Sequence, residues 1–175
     1  ISFCAVCDGA FYTGQRVAMI GGGNSALQEA LLLSEVCSHV TIVQNLADFT
    51  GERKLADALL EKENVEVLFS TVVAGYEAEG GTLTGLRLRS EVTGEESHIA
   101  VDGAFLAVGL QPENEPFAQL AKLNDWGYFD SGEDCCTATP GLFVAGDCRS
   151  KRIRQVVTAA GDGAIAAMAA CRYLD

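Results

Sequence analysis

Two cysteines near the start of the sequence, Cys4 and Cys7, are separated by two residues and followed at once by Asp8. A C-x-x-C spacing allows a disulfide within one short turn, and the thiolates of such a pair exchange with other disulfides. A carboxyl group beside them can give or take the proton that this exchange moves. The three residues therefore predict a redox-active centre.

The same pair has two other interpretations, half of a zinc site or two inert thiols. The other five cysteines are Cys37, Cys135, Cys136, Cys148 and Cys171. A zinc site would need a second C-x-x-C or a Cys/His pair at suitable spacing, which these cysteines do not form, and His39 and His98 lie in strand patterns. We expect no metal site and ordinary thiols at the adjacent Cys135 and Cys136.

A glycine-rich segment begins at Gly21 and fits the dinucleotide pattern G-x-G-x-x-A. Gly21 permits a tight turn, Gly23 lets a pyrophosphate approach the backbone, and Ala26 keeps helix and strand close. Asn24 and Ser25 begin the helix, whose free N–H groups would face the phosphates. A glycine-rich turn without a ligand is the alternative.

The elements around these motifs alternate. Residues 16–20 and 39–43 predict strands on either side of an amphipathic helix, a βαβ unit typical of a parallel sheet. A helix over residues 52–63 and a strand over 65–69 follow. Residues 72–79, 83–90 and 97–101 alternate apolar and polar positions and predict an antiparallel meander. Residues 104–108 predict a buried strand that returns to the parallel sheet.

The remaining residues begin with a cluster of Gly and Pro over residues 109–116, which is the best linker candidate. A short helix is predicted over 117–123, a strand over 142–145 that ends at Gly146 and Asp147, and a long helix over 156–174. The fold class is therefore α/β.

Composition limits the partners. The chain has 175 residues, 49% of them apolar, and a net charge of −12 from 24 acids and 12 bases. Nucleic acids and anionic membranes attract basic surfaces, so neither is an expected partner. We expect neither a signal peptide nor a membrane-spanning segment, and the odd cysteine count does not suggest a secreted disulfide framework. We expect a cytoplasmic protein.

Four segments together resemble the low-molecular-weight thioredoxin reductases, which are pyridine nucleotide-disulfide oxidoreductases. They are CAVCDGAFY at residues 4–12, VAMIGGGNSA at 17–26, TPGLFVAGD at 139–147 and RQVVTAAG at 154–161. The segments occur in the family's order and at similar separations. The resemblance therefore covers nearly the whole chain.

The resemblance implies a domain organisation. Residues 1–110 would be a Rossmann-like NAD(P)-binding domain that carries the cysteine pair, and residues 111–175 the C-terminal part of an FAD-binding domain. The N-terminal part of the FAD domain, with its own glycine-rich loop, would be missing. We therefore expect this chain alone to bind FAD poorly and to be inactive in isolation.

The resemblance also implies a mechanism. Electrons would pass from NADPH to FAD, then to the Cys4–Cys7 disulfide and on to a thioredoxin-like protein disulfide. Cys7 would face the flavin, Cys4 would attack the substrate, and Asp8 would manage the proton. The cysteine-bearing domain would rotate about a hinge at residues 109–111, and family members are commonly homodimers.

The predicted cofactor-binding residues fall at both ends of the chain. Asp147 would bind the ribityl chain of FAD, or alternatively cap the last helix. Arg154 and Gln155 would lie near the flavin, or alternatively on a solvated surface. The full set is Gly21, Gly23, Asn24, Ser25, Ala26, Gly109, Gly146, Asp147, Arg154, Gln155 and Val156.

The chain departs from the family after the second strand, where a His-Arg-Arg run and a further Arg are replaced by Gln44, Asn45, Leu46 and Thr50. The 2′-phosphate of NADPH would lose its charged partners. We therefore expect NADPH to bind no better than NADH. A donor other than a nicotinamide, a flavin dithiol oxidase and a non-catalytic dinucleotide-binding module are the alternatives.

Overall fold

Seven strands lie in the first 109 residues of the computed structural model, which describes residues 1–175 throughout. They are β1 (Arg16–Ile20), β2 (His39–Val43), β3 (Val65–Leu68), β4 (Thr71–Glu79), β5 (Thr82–Ser90), β6 (Glu96–Ile99) and β7 (Gly103–Leu106). One parallel sheet has the order β3-β2-β1-β7, and β4, β5 and β6 form an antiparallel sheet. The predicted combination of parallel sheet and antiparallel meander is confirmed.

Four α-helices accompany the strands, namely α1 (Ala5–Asp8), α2 (Asn24–Val36), α3 (Arg53–Leu60) and α4 (Val156–Leu174). α2 connects the parallel neighbours β1 and β2, as the βαβ prediction requires. None of the helices combines the length and apolar character needed to cross a bilayer.

The core of the first 109 residues lies between the parallel sheet and its helices. Val17 and Met19 of β1 are fully buried with Leu27 and Leu33 of α2 and Phe105 of β7. The opposite face of β1 is also covered, because Ala18 packs in a second cluster with residues of β5. Burial on both faces explains why the β1 sequence is a continuous apolar run.

The segment before α1 is attached to the sheet edge. Ser2 forms a parallel bridge with Phe105: its N–H donates to Ala104 O at 2.8 Å, and its carbonyl accepts from Leu106 N–H at 2.9 Å. The turn that carries the cysteines therefore starts from a fixed point beside β7.

The chain divides into two compact units, Ile1–Gly109 and Leu110–Asp175. The second unit contains α4, two short 3₁₀ turns (Glu115–Phe117 and Gly146–Cys148) and mostly irregular structure. Its apolar core is small, with Ala121, Phe129 and Val144 buried together.

Two predicted elements of the second unit are wrong. Residues 117–123 do not form a helix, because Leu123 turns away to bridge Phe129 and buries apolar contacts there. Residues 142–145 do not form a strand, because their pairing is limited to a single bridge between Cys136 and Phe143. Cys135, at φ 58, interrupts the extended backbone that a longer ladder would need.

Several elements are also shorter than predicted. α3 begins at Arg53 and ends at Leu60, because Glu52 has an extended backbone and the chain turns after Glu61. Asn64 holds the following turn by donating its side-chain amide to Ser34 O at 2.9 Å and Cys37 O at 3.1 Å. The helix therefore ends at its last apolar residue, Leu60, and tertiary hydrogen bonds hold the turn that follows it.

Candidate active site and cofactor-binding loops

The predicted disulfide bond between Cys4 and Cys7 is present, with the two Cα atoms 5.3 Å apart. Cys7 is exposed and Cys4 is half-buried. Cys4 caps the N-terminus of α1, and the Cys7 backbone N–H donates to Cys4 Sγ at 3.1 Å. A donor aimed at sulfur stabilises a thiolate, so Cys4 is suited to carry negative charge after the disulfide opens.

Asp8, the last residue of α1, is half-buried and lies close to the pair in sequence and space. The hydroxyl of Ser2 donates to Asp8 Oδ2 at 2.7 Å. The same hydroxyl oxygen accepts the Cys4 backbone N–H at 3.1 Å. One buried hydroxyl thus joins the carboxylate to the backbone of a redox cysteine.

Glu29 supports the cysteine turn from α2. Its Oε2 accepts the backbone N–H of Ala5, the first residue of α1, at 2.8 Å. A carboxylate at the N-terminal end of a helix also interacts favourably with the helix dipole. The sequence analysis missed this residue, since nothing in its spacing links it to residues 24 positions away.

The predicted dinucleotide loop has the required strand–turn–helix setting between β1 and α2. Gly21 has φ 127, and a Cβ there would be 2.4 Å from Ala107 O. A Cβ on Gly23 would meet only Thr50 Oγ1 at 3.8 Å, and no side chain caps α2. An open glycine before an uncapped helix fits a pyrophosphate.

A second loop, residues 44–52, is hydrogen-bonded to this glycine loop. Thr50 and Gly51 donate their backbone N–H groups to Gly22 O at 2.9 and 3.0 Å. Asn24 exchanges side-chain hydrogen bonds with Glu52, accepting its N–H at 2.6 Å and donating to Oε1 at 3.4 Å. The charged side chain of this loop that contacts the start of α2 is therefore the acidic Glu52.

No cation takes the place of the family's arginines at the end of β2. Gln44 is buried and donates its side-chain amide to Asp48 O at 3.2 Å. Arg53 pairs with Asp57 within α3. The residues present fit the pyrophosphate of a dinucleotide, but they offer no charged partner for a 2′-phosphate.

The second unit contains a cavity of about 300 Å³. Its lining residues are Leu110, Gln111, Pro112, Glu113, Asn114, Tyr128, Asp147, Cys148 and Arg154. Asn114 shapes the floor by donating its amide to Gly127 O at 2.9 Å and Cys148 O at 2.7 Å. Two predicted flavin-site residues, Asp147 and Arg154, therefore line the same cavity.

Arg154 is half-buried. Its guanidinium lies over the Tyr128 ring, 4.1 Å from the ring centre, and its buried Nε has no hydrogen-bond partner. A buried guanidinium N–H is costly to leave unpaired, and an acceptor on a bound molecule would satisfy it. The cavity residues thus fit part of a polar cofactor such as FAD.

The start of α4 has its own cap. The Gln155 side chain accepts the Thr158 backbone N–H, and the Thr158 hydroxyl accepts the Gln155 N–H. Asp147 is therefore not the cap of α4 that the alternative interpretation required. Val156 is 87% exposed and follows directly.

A buried ionic cluster holds the predicted flavin loop. Asp162 on α4 accepts from Arg149 Nε and Lys151 Nζ at 2.8 Å each, and from the Gly146 backbone N–H at 3.0 Å. The Arg149 hydrogen bond is the main reason that the pKa of Asp162 lies well below its ordinary value. Gly146 has φ 83, so a glycine is needed where the loop meets Asp162.

The five other cysteines are free thiols, and three of them have raised pKa values. Burial raises the pKa of the Cys135 thiol and, with Asp134, that of Cys136. Burial also raises the pKa of Cys37. A raised pKa reduces the reactive thiolate fraction. No group of three His, Cys, Asp or Glu side chains is arranged to hold a metal.

The predicted site residues fall into two sets. Cys4, Cys7, Asp8 and the glycine loop lie in the first unit, which ends at Gly109 (φ 100). Asp147, Arg154 and Gln155 lie in the second unit. The missed residues are Ser2, Glu29, Asn114, Tyr128, Arg149 and Asp162. Among these residues, only Ser2 is close in sequence to the cysteine pair, because it lies two residues before Cys4.

Comparison with known proteins identifies the family of the chain. The family model for pyridine nucleotide-disulphide oxidoreductases matches residues 2–163. The chain is 38% identical over 175 residues to a thioredoxin reductase of Bacillus subtilis, and 39% identical to one of Listeria monocytogenes. The crystal structure of the Streptococcus pyogenes thioredoxin reductase superposes with a TM-score of 0.90 at 32% identity, over 99% of this chain and 56% of that one.

The predicted resemblance is thus confirmed over the whole chain. The two matches with the Bacillus and Listeria proteins cover 100% of this chain and 55% of each relative. The chain therefore spans about half the length of the curated relatives it matches.

Proposed function

This chain belongs to the pyridine nucleotide-disulphide oxidoreductase family, and on that premise we propose that its Cys4–Cys7 disulfide passes electrons from a flavin to a protein disulfide. The observation that carries the proposal is the disulfide itself, which lies at the surface with a backbone donor on Cys4 Sγ. Two relatives that are thioredoxin reductases support the reaction class.

Each residue of the cysteine turn has a part in this proposal. In the reduced pair, Cys4 is the attacking thiolate, because the Cys7 N–H stabilises negative charge on its sulfur. Asp8 exchanges a proton with the departing thiolate of the pair. Ser2 and Glu29 hold the turn against the sheet and α2.

FAD would supply a two-electron carrier between a donor and the disulfide. The residues that would hold part of it are Asp147, Arg154 and Tyr128, which line the cavity of the second unit. The unpaired Arg154 Nε supports this assignment. Asp162 supports it indirectly, because it fixes the backbone of Gly146 beside Asp147.

A nicotinamide dinucleotide would lie with its pyrophosphate at the start of α2, on the open backbone of Gly23. NADH and NADPH are both compatible with that contact. Gln44 and Thr50 favour a second candidate, a disulfide reductase whose donor is not NADPH, because neither carries charge for a 2′-phosphate.

The expected partner is a protein with an exposed disulfide, such as a thioredoxin-like protein. Phe3, Val6 and Phe11 surround the cysteine pair in sequence and are 69%, 75% and 78% exposed. Large exposed apolar side chains beside a reactive group suit contact with a protein surface. A homodimer and a cytoplasmic location remain predictions.

A mixed-disulfide trap tests the proposal. In Cys7→Ser, the reduced Cys4 can attack a thioredoxin that retains one active-site cysteine, held as a mixed disulfide with thionitrobenzoate, which leaves as a thiolate. The adduct persists because neither a thiol at position 7 nor a second thioredoxin thiol is present to displace Cys4. We expect a covalent adduct with the full-length Cys7→Ser protein, detected by non-reducing electrophoresis and mass spectrometry.

Two matched variants complete the trap. The Cys4→Ser protein should form little adduct, and the Cys4→Ser/Cys7→Ser double variant should form none, which excludes the other cysteines. An adduct only in Cys4→Ser would reverse the assigned roles. Absence of adduct in both single variants would contradict the proposed function.

A further inference from the structure

The hydroxyl of Ser2 lies between the carboxylate of Asp8 and the backbone of Cys4. Ser2 is 4% exposed, and its Oγ lies within hydrogen-bond distance of both Asp8 Oδ2 (2.7 Å) and the Cys4 N–H (3.1 Å). The backbone of Ser2 is fixed to Ala104 and Leu106 at the sheet edge. The sheet edge therefore fixes the backbone of Ser2, while its hydroxyl contacts the Asp8 carboxylate and the Cys4 N–H of the redox turn.

A serine hydroxyl has one proton and two lone pairs. With Asp8 ionised, it donates to the carboxylate and accepts from Cys4 N–H, which agrees with the two short distances. The carbonyl oxygen of Cys4 lies 3.4 Å away and is a second acceptor. When Asp8 is protonated, the carboxyl group can donate to Ser2 Oγ, and the hydroxyl proton can turn to the Cys4 carbonyl.

We propose that Ser2 is the positioning residue of the disulfide exchange, and that its rotating hydroxyl holds Asp8 beside the cysteine pair in both charge states. This inference rests on the proposed function of Cys4, Cys7 and Asp8. It assigns a further part of the proton transfer to a residue that touches neither the substrate nor a reacting sulfur.

The exchange can be written with a small dithiol as reductant. A thiolate of dithiothreitol attacks one sulfur of the Cys4–Cys7 disulfide, and the other sulfur leaves as a thiolate that takes a proton relayed through Asp8. The second dithiothreitol thiolate then displaces the remaining cysteine. Dithiothreitol loses two electrons and two protons and forms its cyclic disulfide, while the protein gains two thiols.

A double-mutant cycle separates positioning from structural support. The rate of reduction by dithiothreitol is followed in the full-length protein by quenching with an alkylating reagent and measuring the Cys4–Cys7 peptide by mass spectrometry. We expect Ser2→Ala to slow reduction about fivefold, and Ser2→Ala/Asp8→Asn to be no slower than Asp8→Asn alone, because coupled residues are not additive. Thermal unfolding of each variant shows that it is folded.

The opposite results would overturn the proposal. If Ser2→Ala slows the reaction by the same factor in the wild-type and Asp8→Asn backgrounds, Ser2 acts independently of Asp8. If Ser2→Ala leaves the rate unchanged, it has no part in the exchange. Ser2→Thr and Ser2→Val, whose side chains match each other in volume, repeat the test with and without a hydroxyl. We expect only the threonine variant to keep a rate within about twofold of wild type.

The experiment does not depend on the electron donor or on a protein substrate. If the mixed-disulfide trap fails while the cycle shows coupling, the proposed function is wrong and the positioning of Asp8 by Ser2 stands. If the trap succeeds while the cycle is additive, only the inference about Ser2 is overturned.

Discussion

The carboxamide of Gln44 lies against the backbone of Gly22, so closely that a Cβ on Gly22 would be 2.5 Å from Gln44 Cδ. Gln44 follows β2 directly, at the position that selects between nicotinamide cofactors in many dinucleotide-binding folds. Its side chain is buried and bonded to Asp48 O. The cofactor-selecting position after β2 therefore holds a neutral side chain that already forms a hydrogen bond within the protein.

The first prediction concerns cofactor choice. Because the loop has no cation for a 2′-phosphate, NADPH should bind the full-length protein no more tightly than NADH. Replacing the exposed Asn45 and Leu46 with arginine should strengthen NADPH binding by about tenfold, or roughly 1.4 kcal/mol, with little change for NADH. Equilibrium titration with both nucleotides measures the difference.

The matched control is Asn45→Gln/Leu46→Gln, which adds length without charge and should leave both affinities unchanged. Wild-type protein that binds NADPH at least about tenfold more tightly than NADH would contradict the prediction.

The second prediction concerns the cavity of the second unit. If the unpaired Nε of Arg154 donates to bound FAD, Arg154→Leu should weaken FAD binding to the full-length protein by about tenfold, as expected for a lost hydrogen bond to a charged donor. Apoprotein titration with FAD, followed by flavin fluorescence, measures the affinity.

Arg152 provides the control, because it is exposed and lies two residues away on the same segment. Arg152→Leu should retain wild-type affinity. Equal losses in the two variants would indicate a general charge effect and argue against a specific contact by Arg154.

The third prediction concerns the buried cluster of Asp162. Asp162→Asn leaves Arg149 and Lys151 buried without a counter-charge and should lower the free energy of unfolding by about 3 kcal/mol. Asp130→Asn is the matched control, since the Asp130–Lys122 pair is exposed and should cost less than about 1 kcal/mol. Urea unfolding at neutral pH compares the variants.

The same cluster predicts a pH dependence. The Arg149 hydrogen bond lowers the pKa of Asp162 in the folded protein. The contribution of Asp162 to the free energy of unfolding is therefore fully present above pH 3.8, the ordinary pKa of aspartate, and is lost as the pH falls further. Asp162→Asn should therefore flatten the decline in stability below that pH. An unchanged slope in the variant would contradict this assignment.

The sequence predicted the first unit better than the second. Strong local signals lie in the apolar run of β1, the glycines that follow it and the helical pattern of α2. β1 has the predicted bounds, and α2 begins directly after the glycine turn, as expected. The cysteine pair and Asp8 are adjacent in sequence, so their proximity needed no tertiary information. Local chemistry was sufficient for this part of the site.

The remainder depended on contacts between distant residues. Glu29 reaches Ala5, and Asp162 reaches Gly146, across 24 and 16 positions respectively. The apolar residues at 117–123 have a helical pattern, but Leu123 pairs with Phe129 instead. Tertiary hydrogen bonds and burial therefore decided the positions that periodicity could not predict.

The most direct test of a flavin-coupled disulfide is an anaerobic reductive titration of the full-length protein with bound FAD. Flavin and disulfide are each two-electron couples, so the wild-type protein should take up about four electrons per flavin. Cys4→Ser and Cys7→Ser should take up about two. A wild-type protein that is fully reduced by about two electrons per flavin, with the Cys4–Cys7 disulfide still intact, would contradict the account.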